Sequence, residues 1–435
     1  MFKSVSKLRA GHTLTISNET MTIEPYHEIE FAPEYNRSFA DFAEEARAVI
    51  TDSVNIHRNS DVPRGCFLSS GVDSSSLAGL LQRFEPTQTF SVGFDVEGYS
   101  ELDAARNTAR FLGTEHHEMK ITAKEYLEEL PSILWYMDEP VADPSAVGLY
   151  FVSKLASNHV KVAFSGEGAD EFFGGYNIYR EPYSLRMFKY MPEALRSMSG
   201  HLGRLMPPGM KGKSFLERGS MSLEERFVGN AKIFVDSEKE NVLTSSFVAS
   251  GQFTSTEFIT SSLYNKVRHH DDITKMQYID IHTWLRGNIL LKADKMSMAH
   301  SLELRVPFMD IEVFKLAAKL PPEYKISPTN TKLLLREAMK EILPPDVQQR
   351  RKLGFPVPTR IWLKNEWYDW AKNLISTSRV EQWINKIYVL QLLDIHKEGK
   401  VDVSRKLWTI LVFMMWHQVH IEGANASHEY KTLVT

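Results

Sequence analysis

Six consecutive residues, Ser69-Ser-Gly-Val-Asp-Ser74, set three hydroxyls, a glycine and a carboxylate side by side. The apolar run Cys66-Phe-Leu68 precedes them, and an amphipathic pattern with Leu77, Leu80, Leu81 and Phe84 follows. A turn of this kind, between a buried strand and a helix, suits a polyphosphate. Small residues let backbone N–H groups close on the phosphates. Ser69, Ser70 and Ser74 add donors, and the helix N-terminus adds partial positive charge. Asp73 would repel a phosphate directly, so the role it suits is to hold Mg²⁺, which bridges to phosphate oxygens. A serine-rich turn with an ordinary capping aspartate fits the same spacing. Context favours the nucleotide, because open α/β sheets bind ligands at the carboxyl ends of their strands. There is no Gly-x-x-x-x-Gly-Lys-Ser/Thr run, and Gly166-Glu-Gly168 lacks the third glycine of a dinucleotide loop. A phosphate-transferring ATPase of that class and a Rossmann oxidoreductase are both disfavoured. His116, His117 and Glu118 tempt a metal reading, but neighbours on a strand face opposite ways, so all three are read as structural.

The elements that would position this turn alternate. Short strands are expected near Leu8, at Thr13–Ile16 and at Met21–Ile23, with turns at Gly11 and Asn18. A helix follows with Phe39, Phe42, Ala46, Val49, Ile50 and Val54 on one face. Strands are then expected at Cys66–Leu68, Thr89–Phe94, His116–Ile121 and Val160–Phe164. Between them lie the helix after the turn, one capped by Ser100 and ended by Gly113, and one over 123–137 interrupted or kinked at Pro131. The pattern predicts an α/β fold, a parallel sheet with helices on both faces, followed by a mostly helical C-terminal half. Helices are expected around 222–235, 275–300, 311–319, 331–342, 380–397 and 403–420. The segment 199–219, rich in Gly, Pro, Lys and Arg, reads as an exposed excursion, and its sequence does not say whether it moves over the site.

The formal charge of -4 gives no reason to expect nucleic acid or an anionic membrane as partner. Cys66 is the only cysteine, which rules out an internal disulfide or a thiol cluster and fits a reducing cytoplasm. No secretory signal is recognisable at Met1–Ser4. The apolar stretch from Leu407 to Trp416 is far short of the roughly 20 residues of a membrane span and reads as a buried helix.

Ser-Ser-Gly-Val-Asp-Ser resembles the PP-loop of the N-type ATP pyrophosphatases, Ser-Gly-Gly-x-Asp-Ser, with Ser70 in place of the first glycine. That exchange is expected to require a negative φ at Ser70. Other segments narrow the family. Ser165-Gly-Glu-Gly-Ala-Asp-Glu-Phe-Phe-Gly-Gly-Tyr176, Asp138-Glu-Pro140 with Asp143-Pro144, and the run Met296–Asp310 all resemble motifs of the asparagine synthetases. So do Lys332-x-x-Leu-Arg336, Arg351-Lys-x-Gly-Phe355 and Arg405-Lys-Leu-Trp-Thr409, in family order. The resemblance implies that a substrate carboxylate attacks the α-phosphorus of ATP, pyrophosphate leaves, and ammonia displaces AMP from the acyl-adenylate. It places ATP on Ser69, Ser70, Gly71, Asp73 and Ser74, and Mg²⁺ on Asp73 and Asp170. Leu68, Val92, Ser165 and Gly166 would line the adenosine pocket, although Leu68 and Val92 are equally well read as core residues. Glu167, set between two glycines, would orient ammonia or take its proton. Lys352 would stabilise charge in both transition states.

Residues 1–30, with Leu8-Arg-Ala-Gly-His12 and Ile23-Glu-Pro-Tyr26, resemble the end of a glutaminase domain, and position 2 holds Phe rather than its nucleophilic cysteine. The expected layout is that remnant over 1–30, a synthetase-like domain over 31–425 (α/β to 185, mainly helical after) and a tail over 426–435. Glutamine hydrolysis is not expected of this chain alone. Free ammonia, a separate glutaminase subunit or a longer parent protein would supply the nitrogen. The first expectation for the acid is aspartate; alternatives are another carboxylate (a sugar acid, a peptide or a β-lactam precursor), a non-catalytic nucleotide-binding remnant, or, less favoured, a tRNA-modifying PP-loop enzyme.

Overall fold

A computed structural model describes residues 2, 4–207, 210–252, 254–350 and 354–423. The first elements are strands β1 (His12–Ser17) and β2 (Thr20–Pro25), which form an antiparallel hairpin turned at Asn18 and Glu19, both left-handed. No strand forms near Leu8; residues 5–9 take no regular secondary structure. Helix α1 (Phe39–His57) starts on a capping box made by Ser38 and Asp41 and buries Phe42, Ala43, Ala46, Ile50 and Val54, the face its periodicity predicts.

The central unit runs β3 (Arg64–Phe67), α2 (Val72–Phe84), β4 (Gln88–Phe94), α3 (Leu102–Leu112), β5 (Glu115–Ile121), α4 (Ala123–Met137), α5 (Ser145–Ser157), β6 (Val162–Phe164) and α6 (Ala169–Phe173). Five strands make one parallel sheet in the order β5-β4-β3-β6-β7. Strand β7 (Glu303–Arg305) lies in the half expected to be helical. It has three residues and none is fully buried, so it carries no apolar alternation to read. Chain order runs outward from β3 in one direction through β4 and β5, then restarts on its other side with β6. The loops after β3 and β6 therefore diverge, and a crevice opens between them at the carboxyl ends of the strands.

Side chains alternate across the sheet and seed two cores. Phe67, Phe90, Val92 and Ala163 pack with α4, α5 and the C-terminal helix Ser404–His420. Cys66, Leu68, Val162 and Phe164 pack with α1, α2 and residues 308–343. Helices thus cover both faces, as expected.

Several local expectations are corrected. Helix α3 is capped one residue later than expected, at Glu101, with the Ser100 hydroxyl only 3.4 Å from the Leu102 amide; Gly113 ends it at φ +74. Helix α4 passes through Pro131 without a break. The 199–219 excursion is a helical pair, Glu193–Leu205 and Lys213–Ser220, closed where Gly200 and Gly203 let the two approach. Residues 222–235 hold only the one-turn helix Leu223–Arg226, and the helix expected over 380–397 begins at Lys386. The 275–300 helix is present, but its middle, Ile281–Ile289, is π-helical. The expected tail, 426–435, lies outside the described residues.

Candidate active site

The sheet carries on one residue past β3, where the Leu68 amide donates to the Phe90 carbonyl at 2.9 Å and the Ser91 hydroxyl donates to the Leu68 carbonyl. The chain then turns through Ser69 and Ser70 into Gly71, which caps α2 without a side chain to do so. Ser74 compensates from inside the helix: its hydroxyl accepts from the Ser69 amide and meets the Ser69 hydroxyl, both at 3.1 Å. Ser70 has φ +57, against the expected negative value. A left-handed residue with a Cβ costs roughly 1–2 kcal/mol. Here the conformation aims the Ser70 hydroxyl at Arg350, whose guanidinium donates to it at 2.7 Å.

Across the crevice, β6 ends in Ser165-Gly-Glu-Gly-Ala-Asp170. A Cβ on Gly166 would lie 2.8 Å from the Asp73 Cβ, so a glycine there lets the two loops touch. Gly168, at φ +88, turns the chain into α6, whose first turn carries Asp170. Asp73 and Asp170 converge on one buried ammonium: Lys332 Nζ lies 2.6 Å from Asp73 Oδ1 and 2.5 Å from Asp170 Oδ1. The lysine side chain is 2% exposed, the carboxylates 14% and 15%. Gly175 leaves them room, since a Cβ there would sit 1.8 Å from Asp170 Oδ1 and 2.2 Å from Lys332 Cε. Glu167 accepts from the Ser165 hydroxyl at 3.4 Å.

The expected site residues are thus only partly assembled. Ser69, Ser70, Gly71, Asp73 and Ser74 form one turn; Gly166 and Asp170 lie against it, with Ser165 and Glu167 on the same loop. The side chains of Leu68 and Val92 are not brought together, being buried in cores on opposite faces of the sheet. Lys352 lies outside the described residues. On the described residues beside it, Arg350 reaches Ser70, and the Phe355 ring packs edge-on to Phe94 and against Gly148. His117 stacks on Phe90, and His116 bonds Thr89 at 3.0 Å.

The sequence reading gave no role to two buried networks. Behind the crevice, the Tyr176 hydroxyl donates to Glu171 at 2.7 Å and accepts from the Trp284 indole at 2.9 Å. Deeper, Asp280 accepts from Tyr179 at 2.7 Å and from the amide and side chain of Asn230. Burial, with the Asp170 charge adding to it, pushes Glu171 up to about 8. Burial pushes Asp280 up to about 7 against the pull of its hydrogen bonds. At the start of α5, burial would raise Asp143, but the Lys292 ammonium at 2.6 Å, with Asn288 and Ser145, holds it down at about 2. The motifs containing Glu171 and Asp143 were legible. Asp280 sits in an ordinary helical pattern and gave no signal.

A parallel sheet whose switch-point loops carry a hydroxyl-rich turn and converging carboxylates is the architecture of an α/β enzyme with its site at the strand ends. The chain belongs to the asparagine synthase family, whose model matches residues 45–418. It is 50% identical to the glutamine-hydrolysing asparagine synthetase 1 of Bacillus subtilis, over 99% of this chain and 68% of that one. It is 48% identical to a putative glutamine-hydrolysing asparagine synthetase of Mycobacterium tuberculosis, over 87% of this chain and 58% of that one. A further synthetase of B. subtilis, number 3, is 28% identical over 82% of this chain and 55% of its own length. The chain spans 68% of the length of the first of these relatives and 55–58% of the other two. Among the described residues no helix is long and apolar enough to cross a membrane.

Proposed function

We propose that this chain activates a carboxylic acid with ATP, releasing pyrophosphate, and passes the acyl group to ammonia to form an amide and AMP. The acid we propose is aspartate, at its side-chain carboxylate. One observation carries most of the reading: two carboxylates from loops at the switch point meet on a single buried cation beside a hydroxyl-rich strand-to-helix turn. That geometry fits Mg²⁺. Two carboxylates are what a nucleotide-bound Mg²⁺ takes from protein, the other ligands coming from phosphate and water. Bound there, the ion would offset charge on the departing pyrophosphate. The Ser69–Ser74 turn would cradle the phosphates, and Lys332 would keep Asp73 and Asp170 aligned. We assign Glu167 to orienting ammonia and taking its proton, and Lys352, on family resemblance, to charge stabilisation.

We place the nitrogen source outside these residues. Cys66 is fully buried on β3, and burial pushes its thiol up, away from the thiolate that glutamine hydrolysis needs. The test is to incubate the protein with ATP, Mg²⁺, ammonium and a panel of carboxylic acids, and to measure pyrophosphate and AMP. Aspartate-dependent release is expected. Release with a different acid alone would replace the substrate, and no release with any acid would overturn the ligase reading.

A further inference from the structure

Arg336 is 8% exposed, and among the described residues its guanidinium donates to main-chain carbonyls alone. Nε donates to Thr331 at 2.9 Å, the residue before the Lys332 that pairs with Asp73 and Asp170. The terminal nitrogens donate to Val347 at 3.3 Å, Gln348 at 2.7 Å and Arg350 at 2.9 Å. One buried side chain thus ties the lysine's loop to the segment that ends in Arg350. Arg350 in turn sends one nitrogen to Ser70, in the middle of the turn, and the other to Asp346 at 2.8 Å. Its backbone is fixed and its side chain is aimed at the turn.

We propose that Arg350 is a further binding residue of the nucleotide site, a ligand for the terminal diphosphate of ATP and for the pyrophosphate it becomes. A phosphate oxygen seated on the turn at Ser70 falls within reach of the guanidinium that already touches the Ser70 hydroxyl. A planar fork of N–H donors matches phosphate geometry as a lysine ammonium does not. Lys332 from one side and Arg350 from the other then bracket the turn, and the Arg336 hydrogen bonds set their spacing. The Arg350 charge rests on a serine hydroxyl and on Asp346, whose side chain is 59% exposed, and both contacts are easily exchanged for phosphate oxygens.

This inference rests on the nucleotide reading above, and binding separates it from turnover. Inorganic pyrophosphate with Mg²⁺ is titrated into the protein by calorimetry, with adenosine as a second probe. Arg350→Met should weaken pyrophosphate by about tenfold or more, the worth of a lost hydrogen bond to a charged group, and leave adenosine unchanged. Arg350→Lys, which keeps the charge and loses the fork, should fall between the two and serves as the comparison if the methionine variant does not fold. Pyrophosphate affinity unchanged in the variant that folds would overturn the proposal, as would a wild-type protein that does not bind pyrophosphate. Binding without turnover of any acid would sink the ligase reading and leave Arg350 standing.

Discussion

Two acidic clusters lie close together in this chain and solve burial in opposite ways. At the crevice, Asp73 and Asp170 share one full positive charge, Lys332. Behind it, Glu171 and Asp280 are bonded by neutral donors, the hydroxyls of Tyr176 and Tyr179 and the amides of Asn230, and burial raises both carboxyls. A carboxylate kept charged, partly exposed and beside glycines can exchange its partner for another cation. A carboxyl driven toward neutrality and sealed among aromatic rings can only hold its neighbours in place. The difference separates the part of the polar interior suited to bind from the part that supports it.

Removing Lys332 should hurt most. Lys332→Met leaves two carboxylates facing each other, and breaking a buried pair costs about 3–5 kcal/mol. Pyrophosphate release should be lost, and Mg²⁺ should raise the melting temperature of the variant more than that of the wild type. Equal Mg²⁺ effects on the two would break the comparison. Crowding the same cluster should do less. Gly175→Ala places a methyl against Asp170 and Lys332, with an overpacking cost of about 1–3 kcal/mol and a clear fall in kcat; an unchanged kcat would mean that the alignment of the pair does not matter. The neutral cluster should respond to pH instead. Asp280 titrates at about 7 when folded and near 3.9 when unfolded. Its protonated form is therefore held by the fold, and its contribution is complete below about pH 4 and lost as pH rises through 7. Melting temperatures taken from pH 5 to 7 should fall less steeply for Asp280→Asn than for the wild type, with amide synthesis retained. Identical slopes would show that Asp280 is not neutralised by burial.

What the sequence disclosed follows the same division. The charged cluster was legible because its parts sit in short local runs, Ser69–Ser74 and Ser165–Asp170, each at a strand end. Its third member was quoted in a motif but given no role. Lys332 stands 259 positions from Asp73, and nothing local says that a lysine opening a short helix closes on that loop. Periodicity found α1 and the sheet's central strands because buried faces repeat. It missed β7, which is too short to repeat, and it gave no helix for the 199–219 excursion. There the helices expose Leu195, Met198, Leu202 and Leu205 and pack through glycines, so composition indicated the exposure but hid the helices. The neutral cluster was only half legible: Glu171 and Tyr176 stand in a quoted motif, whereas Asn230 and Asp280 lie in segments that look ordinary, and nothing local says that they meet behind it.

The smallest effect concerns Ser70, where the expectation and the structure part. With φ at +57, Ser70 pays a conformational cost that glycine would not. It also gives Arg350 its acceptor at 2.7 Å. Ser70→Gly should therefore exchange one term for the other, shifting stability by no more than about 1 kcal/mol. If the hydroxyl matters mainly as a perch for Arg350, the KM for ATP should rise slightly and kcat should hold. Chemical denaturation and the two kinetic constants decide it. A gain in stability with an unchanged KM would mark the serine as a tolerated strain at the turn, and would move the phosphate contacts to the backbone and the cations around it.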